Sequence, residues 1–292
     1  MKSGFISIVG RPNVGKSTLL NAILGEKIAI TSSKPQTTRN IVRGIYTKED
    51  VQMVFIDTPG IHKPKNKLGN FMTNAAVNTF NEVDAVVLIV DDELSAGPGD
   101  TYILNIIKEV KTPKILAINK IDKIDPEKFQ RIYHEYDQLG IFNKIIGISA
   151  IEAKNVETLL AELESLLKEG PMYFPSEMIT DHPERFIVSE IIREKTLMYL
   201  EDEVPHGIAV EIEKYVENKE ITNISAVIYC EKKSHKGIII GKEGKKLKGI
   251  GKQARLEIEA LLGCKVFLEL WVKVKENWRD SNFALSNFGY KE

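Results

Sequence analysis

Gly10-Arg11-Pro12-Asn13-Val14-Gly15-Lys16-Ser17 is the stretch whose reading decides the fold. It fits G-x-x-x-x-G-K-[ST] and lies between an apolar run, Phe5-Ile6-Ser7-Ile8-Val9, and a helix-like segment over 18–24. A strand, a glycine-bearing turn and a helix in that order make a phosphate cradle. The glycines let the backbone wrap closely enough to aim N–H groups at phosphate oxygens, and the helix N-terminus adds the positive end of its dipole. Gly10, Arg11, Pro12, Asn13, Val14, Gly15, Lys16, Ser17 and Thr18 are therefore the expected phosphate-binding residues. Lys16 would reach the β- and γ-phosphates, and the Ser17 hydroxyl would ligate Mg²⁺.

Beyond that helix, residues 26–40 lack helical or strand periodicity, which predicts a long loop. In a nucleotide switch a threonine from such a loop completes the Mg²⁺ shell and senses the γ-phosphate. Thr38 is the candidate, with Thr37 second. Two strand-like runs, 41–46 and 51–56, flank a hairpin turn at Thr47-Lys48-Glu49-Asp50. The second run ends in Asp57-Thr58-Pro59-Gly60. A carboxylate at that strand tip can hold Mg²⁺ through water, and the Gly60 N–H can meet the γ-phosphate only while that group exists. Its loss would release both loops, which is how a switch works. Ser17, Thr38 and Asp57 are thus the expected metal-binding residues, and Lys16, Thr38 and Gly60 the catalytic candidates.

Ile61 stands where many P-loop GTPases carry a water-orienting glutamine, so hydrolysis by the isolated chain is expected to be slow or to use another positioning device. His62 is a candidate base, weighed against a solvated loop histidine. A basic loop, Lys63-Pro64-Lys65-Asn66-Lys67, leads to a helix expected over 68–80.

A buried-strand run at 85–90 follows, then a loop containing Asp91-Asp92 and Gly97-Pro98-Gly99, and a helix to about residue 110. The strand at 114–118 delivers Asn119-Lys120-Ile121-Asp122, the tetrad that decides the base. The Asp122 carboxylate can accept from N1–H and the N2 amine of guanine, whereas adenine offers an acceptor at N1 and no amine at C2. ATP is therefore the weaker alternative. Asn119 would tie the base-binding loops together, and the Lys120 stem would lie over the purine. A last strand, 144–148, ends in Ser149-Ala150, whose small side chains would let backbone N–H groups approach guanine O6. A helix over 156–168 closes an α/β domain whose mainly parallel sheet carries its ligand along one edge.

The length of 292 residues suits two domains, and a hydrophobic content of 43% with 28% charged residues is that of a soluble globular chain. Cys230 and Cys264 lie in apolar segments away from metal-ligand spacing and read as buried reduced thiols, which points to the cytoplasm. The chain enters its first strand almost at once, leaving no room for a signal peptide, and no apolar run approaches a membrane span.

Gly170-Pro171, Pro175 and Pro183 mark a linker, giving a first domain at 1–170, the linker at 171–182 and a second domain with its tail at 183–292. The second domain shows a helix over 184–199, strands over 208–216, 223–229 and 266–274, and Gly241-Lys242-Glu243-Gly244 ahead of an amphipathic helix reaching residue 262. G-x-x-G between two helices in an αββααβ order is the KH arrangement, in which the loop clamps a single-stranded sugar-phosphate backbone. Lys232, Lys233, Lys236, Lys242, Lys245, Lys246, Lys248, Lys252 and Arg255 surround it with only Glu243 opposing, although the whole chain has a net charge of -1. Lys236, Ile240, Gly241, Lys242, Glu243, Gly244, Lys245, Lys246 and Lys248 are the expected RNA-binding residues.

With both halves read, the chain resembles the Era GTPase family along essentially its whole length, on the P-loop, Gln36-Thr37-Thr38-Arg39, Asp57 to Gly60, Asn119 to Asp122, Ile148-Ser149-Ala150 and the loop at Gly241 to Gly244. The resemblance implies a translation-factor-class G domain followed by an α+β type II KH domain. It implies binding of GTP and GDP with Mg²⁺, and action on the 3′ end of 16S rRNA during 30S subunit assembly. Peripheral association with the inner membrane, a monomeric state, and potassium binding linked to Asn13 are further expectations. Two other readings compete: a constitutive RNA-binding protein with a structural guanine nucleotide, and a metabolic or membrane-linked GTPase whose KH fold docks protein.

Overall fold

The protein is described from a computed structural model covering residues 1–290, except 33, 35, 62, 92–96 and 219. Two compact units emerge, one of residues 1–31, 38–65 and 69–181, the other of residues 32–37, 66–68 and 182–292.

The sheet of the first unit grows outward from β1 (Lys2–Val9), which pairs in parallel with β3 (Val51–Asp57) and β4 (Ala85–Val90). Its order is β2-β3-β1-β4-β5-β6; β2 (Val42–Lys48) runs antiparallel to β3, while β5 (Lys114–Ile118) and β6 (Lys144–Gly147) continue in parallel. Every residue of β4 and β5 is buried, the pattern of central strands covered by helices on both faces. On one side α2 (Lys67–Asn78), α3 (Pro98–Lys108) and α4 (Pro126–Asp137) supply Ala76, Ile103, Ile107 and Ile132 to a core with Val86, Leu88, Leu116 and Ile118. The first helix, α1 (Lys16–Leu24), packs with α5 (Val156–Leu166) and with β2 and β3. This topology brings the C-terminal ends of β1, β3, β5 and β6 to one edge, where α/β sheets bind ligands.

Local chemistry explains the departures from expectation. The hairpin turn shrinks to Glu49-Asp50, because Lys48 still pairs with Val51 and Glu49 takes φ 48°. Helix α4 had no counterpart among the sequence expectations; it starts at Asp125, whose side chain accepts the Lys128 N–H, followed by Pro126. The helix expected to reach residue 168 stops at Leu166, and β7 (Lys168–Glu169) pairs antiparallel with Lys2 and Ser3. The linker segment lies along the sheet edge. Ile45 N–H donates to the Ile179 carbonyl at 2.9 Å, Arg43 pairs with Asp181 at 2.7 Å, and buried Gln52 accepts from Tyr173 N at 2.7 Å and donates to the Phe174 carbonyl at 2.8 Å.

The second unit runs α6 (Glu184–Met198), β8 (Ala209–Glu217), β9 (Ile221–Cys230), α7 (Lys233–Ile240), α8 (Lys245–Leu262) and β10 (Lys265–Val274). Central β9 is antiparallel to β8 and parallel to β10, a parallel pairing that needs the crossover through α7 and α8. Ile250, Ala254 and Ile258 recur every fourth residue of α8 and meet Ile187, Ile191, Ile224 and Ile228 in the core. After β10, buried Trp278 anchors the tail by donating its indole N–H to the Gly207 carbonyl at 2.9 Å, and α9 (Asn282–Asn287) follows.

Candidate active site and nucleic-acid interface

The loop between β1 and α1 is built as a cradle. Gly10, Asn13 and Gly15 have φ of 155°, 66° and 106°, positive-φ positions of the kind from which anion-binding backbone concavities are made. A side chain at Gly15 would place its Cβ 2.2 Å from Asn119 Nδ2, so the loop and the base tetrad approach as closely as glycine permits. Lys16 is buried inside the loop and donates to the carbonyls of Gly10 at 3.1 Å and Arg11 at 2.7 Å. Burial lowers its ammonium pKa to about 8, against the opposing pull of Asp57.

Ser17, Thr38 and Asp57 converge from α1, the following loop and the tip of β3. Ser17 Oγ donates to Asp57 Oδ2 at 2.6 Å and shares a 2.8 Å hydrogen bond with Thr38 Oγ1. Asp57 is wholly buried, and its Oδ1 has no hydrogen-bond partner among the described residues. Desolvation raises its carboxyl pKa to about 6, although Lys16, Ser17 and Thr38 all oppose the shift. A buried carboxylate oxygen left over beside two hydroxyls is a hard-oxygen donor set of the type Mg²⁺ takes. These residues therefore fit that ion.

The two threonine candidates separate cleanly. Thr37 Oγ1 donates to the Lys34 carbonyl at 2.6 Å, whereas Thr38 reaches Ser17. Thr58 is buried and donates from Oγ1 to the Ile8 carbonyl at 2.8 Å, fixing the strand tip. At Gly60 an added Cβ would lie 2.7 Å from Pro12 N, so this loop reaches the cradle only with glycine there. Ile61 is fully buried and its N–H donates to the Gly10 carbonyl at 3.2 Å. His62 lies outside the described residues.

Asn119 stitches three segments: Nδ2 donates to the Val14 carbonyl at 2.8 Å, and Oδ1 accepts the Ala150 N–H at 2.9 Å. Lys120 takes φ 66°. The exposed Asp122 accepts from Ser149 Oγ at 2.6 Å, which orients the carboxylate. The Ser149 and Ala150 N–H groups, expected to face guanine O6, donate within the protein to the Lys154 carbonyl and to Asn119 Oδ1, so a purine oxygen would share the second bond as a three-centre contact. Sequence reasoning missed Asn21, whose side chain holds Ala29 by both N–H and carbonyl, at 3.0 and 2.7 Å, and pins the start of the loop leading to Thr38. A lone helical asparagine gives no warning of that role.

In the second unit, Gly241 and Gly244 have φ of 71° and 72°, and Glu243 between them has φ 53°. Three left-handed residues in four turn the chain sharply between α7 and α8, and a Cβ at Gly241 would lie 2.7 Å from Lys246 Cβ. Lys236, Lys242, Lys245 and Lys248 are exposed around this turn, while Lys246 and Ile240 are half-buried. Lys245 pairs with Glu243 at 3.0 Å with both side chains in solvent, so the pair adds little stability. The arrangement leaves an exposed cationic turn of the kind that binds a polyanion. No helix among the described residues is long and apolar enough to cross a membrane.

Comparisons with known proteins agree with this division. Residues 5–120 match the family described as 50S ribosome-binding GTPase, and residues 203–279 match the KH domain. The GTPase Era of Clostridioides difficile (strain 630) is 59% identical over 294 residues, covering 100% of this chain and 99% of that protein. The GTPase Era of Alkaliphilus oremlandii (strain OhILAs) is 60% identical over 291 residues, covering 99% of each. Among solved structures, Era in complex with MgGDPNP and nucleotides 1506–1542 of 16S ribosomal RNA aligns with a TM-score of 0.96 at 41% identity over 100% of both chains. A single-residue variant of Aquifex aeolicus Era bound to GDP.AlF4- aligns equally well, with a TM-score of 0.96 at 41% identity over 100% of both chains.

Proposed function

Because this chain belongs to the Era family of GTPases, we propose that it is a GTP-driven switch that grips the 3′ end of 16S rRNA during 30S subunit assembly. Residues 1–170 act as the nucleotide-binding domain, 171–182 as the connection, and 183–292 as the RNA-reading KH domain with its tail. The observation that carries the reading is the convergence of Ser17, Thr38 and the half-satisfied Asp57 beside Lys16.

In this reading the backbone of Gly10 to Thr18 holds the phosphates of GTP or GDP, and Ser17, Thr38 and Asp57 hold Mg²⁺. Bound there, Mg²⁺ neutralises charge on the β- and γ-phosphate oxygens. Lys16 stabilises charge that develops on the leaving group, and its ammonium, now bonded to loop carbonyls, exchanges them for phosphate oxygens. Gly60 lends its N–H to the third phosphate. Asp122 reads guanine, Asn119 keeps the tetrad registered to the cradle, and the Lys120 stem covers the purine. Ile61 has no polar atom to orient a water, so chemistry by the chain alone is slow and another group positions the nucleophile. Asn13 is the candidate for holding potassium. The KH loop, with Lys236, Lys242, Lys245, Lys246 and Lys248, clamps the RNA backbone. The protein acts as a cytoplasmic monomer with a peripheral membrane-bound fraction.

The test is binding of an oligonucleotide from the 16S 3′ end with GDP and with a non-hydrolysable GTP analogue, at several salt concentrations. Affinity is expected to differ between the two states by roughly fivefold or more, the usual lower range of allosteric coupling, and to fall with salt. Equal affinities would favour the constitutive RNA-binding alternative. Absence of guanine nucleotide binding in calorimetry would remove the proposal altogether.

A further inference from the structure

The phosphate-loop motif accepts any residue at position 11, yet the guanidinium there is held from two sides. Arg11 Nε donates to Asp100 Oδ1 at 2.9 Å, and Nη2 donates to Asp91 Oδ1 at 2.9 Å. The other oxygen of Asp91 accepts from Lys120 Nζ at 3.0 Å. One carboxylate, with its side chain only 13% exposed, thus bonds a cation of the phosphate loop through one oxygen and the cation of the base tetrad through the other. Asp100, at 2% exposure, completes the hold on Arg11 and also accepts the Gly97 N–H at 3.3 Å. A Cβ at Gly99 would lie 2.8 Å from Arg11 Cδ, so the arginine stem runs where only glycine leaves it room.

We propose that Asp91 is a positioning residue for guanine-nucleotide binding: by bonding Arg11 and Lys120 together it sets the spacing between the phosphate cradle and the lysine stem that covers the purine. The inference rests on the guanine-nucleotide reading of this site. A free lysine side chain carries substantial rotamer entropy, and a ligand that needs the stem in one place must remove that freedom on binding. Anchoring Nζ in advance moves the cost into the folded protein and leaves it out of the binding equilibrium. Asp91 also separates two cations that would otherwise repel each other in a half-buried setting.

The experiment uses the full chain and a fluorescent GDP analogue, with Asp91→Asn, Lys120→Met and the double variant. Asp91→Asn is expected to weaken GDP binding roughly tenfold, the size of one lost charge-assisted hydrogen bond, chiefly through faster dissociation. The ratio of GDP to inosine diphosphate affinity should stay at the wild-type value, because Asp122 still reads the base. In the Lys120→Met background the same Asp91→Asn change should cost under about threefold, since the residue it positions has gone. A role confined to folding would give equal losses in both backgrounds, and that result overturns the proposal. Arg11→Gln provides a second arm and should weaken GDP and inosine diphosphate binding in parallel; wild-type affinity in Arg11→Gln and Asp91→Asn alike also overturns it. Failure of the wild-type chain to bind GDP would instead overturn the nucleotide reading beneath it.

Discussion

Asp57→Asn should make the metal-free, nucleotide-free protein more stable while removing its response to Mg²⁺. In the fold, burial raises the Asp57 carboxyl from 3.8 to about 6, a balance that already counts the attraction of Lys16 and the hydrogen bonds of Ser17 and Thr38. A folded-state pKa above the unfolded value means that the native protein binds this proton more tightly than the unfolded chain does. The ionised carboxylate therefore costs stability above about pH 6, and the cost fades as pH falls through that value towards 3.8. With each pKa unit worth about 1.4 kcal/mol, the cost at pH 7.5 is about 3 kcal/mol, falling to roughly half of that at pH 5. Asparagine keeps an acceptor for Ser17 Oγ without the charge, so it recovers most of that cost.

The assay is urea unfolding in EDTA at pH 7.5 and pH 5, repeated with Mg²⁺ and GDP. Wild type should gain stability with Mg²⁺ and GDP, because a ligand bound only by the native state stabilises it by mass action. The variant should start higher, gain less, and lose its advantage partly at pH 5. A variant less stable than wild type in EDTA at pH 7.5, or an advantage independent of pH, would refute the reasoning, since either means that Asp57 is net stabilised in the fold by its neighbours.

Asp122→Asn should shift preference from guanosine towards xanthosine diphosphate, because the amide can donate to the xanthine C2 oxygen where the carboxylate accepted from the guanine amine; an unchanged ratio in competition binding would remove the base assignment. Gly241→Val forces a β-branched residue to φ 71° and its Cβ against Lys246. RNA affinity should drop roughly tenfold or more as the clamp opens, and a gel shift at wild-type RNA concentration would contradict the loop assignment. Gln52→Ala removes the side chain that holds Tyr173 and Phe174, so amide exchange across 173–181 should accelerate while exchange in β4 stays slow; unchanged protection would mean that Ile45 and Arg43 suffice to hold the segment.

The parts of this molecule that were legible in the sequence are those whose chemistry is local. A phosphate loop, a strand tip ending in D-x-x-G and a strand ending in N-K-x-D each carry strand, turn and ligand group within a few residues, and an α/β topology then gathers such strand ends at one edge. Helix α4 was legible in principle, because Asp125-Pro126 is a start signal, although the charged segment after it masks the apolar stripe. What sequence could not show is pairing between distant residues. Gln52 reaches residues about 120 positions away, and Arg11 and Asp91 are 80 apart, so no periodicity reports either contact.

Thr37 and Thr38 show the same limit at close range. Both are threonines in one loop, and no propensity separates neighbours, but their hydroxyls take different partners. One hydroxyl is committed to the Lys34 carbonyl, which leaves the other to complete the donor set with Ser17 and Asp57. A Thr37→Val protein should consequently keep Mg²⁺-dependent GDP binding within about twofold of wild type, whereas Thr38→Val should lose the preference for a GTP analogue that this hydroxyl confers. Equal losses from the two substitutions in a titration with the analogue would mean that the loop rearranges on binding and that the hydrogen bonds described above do not choose the ligand.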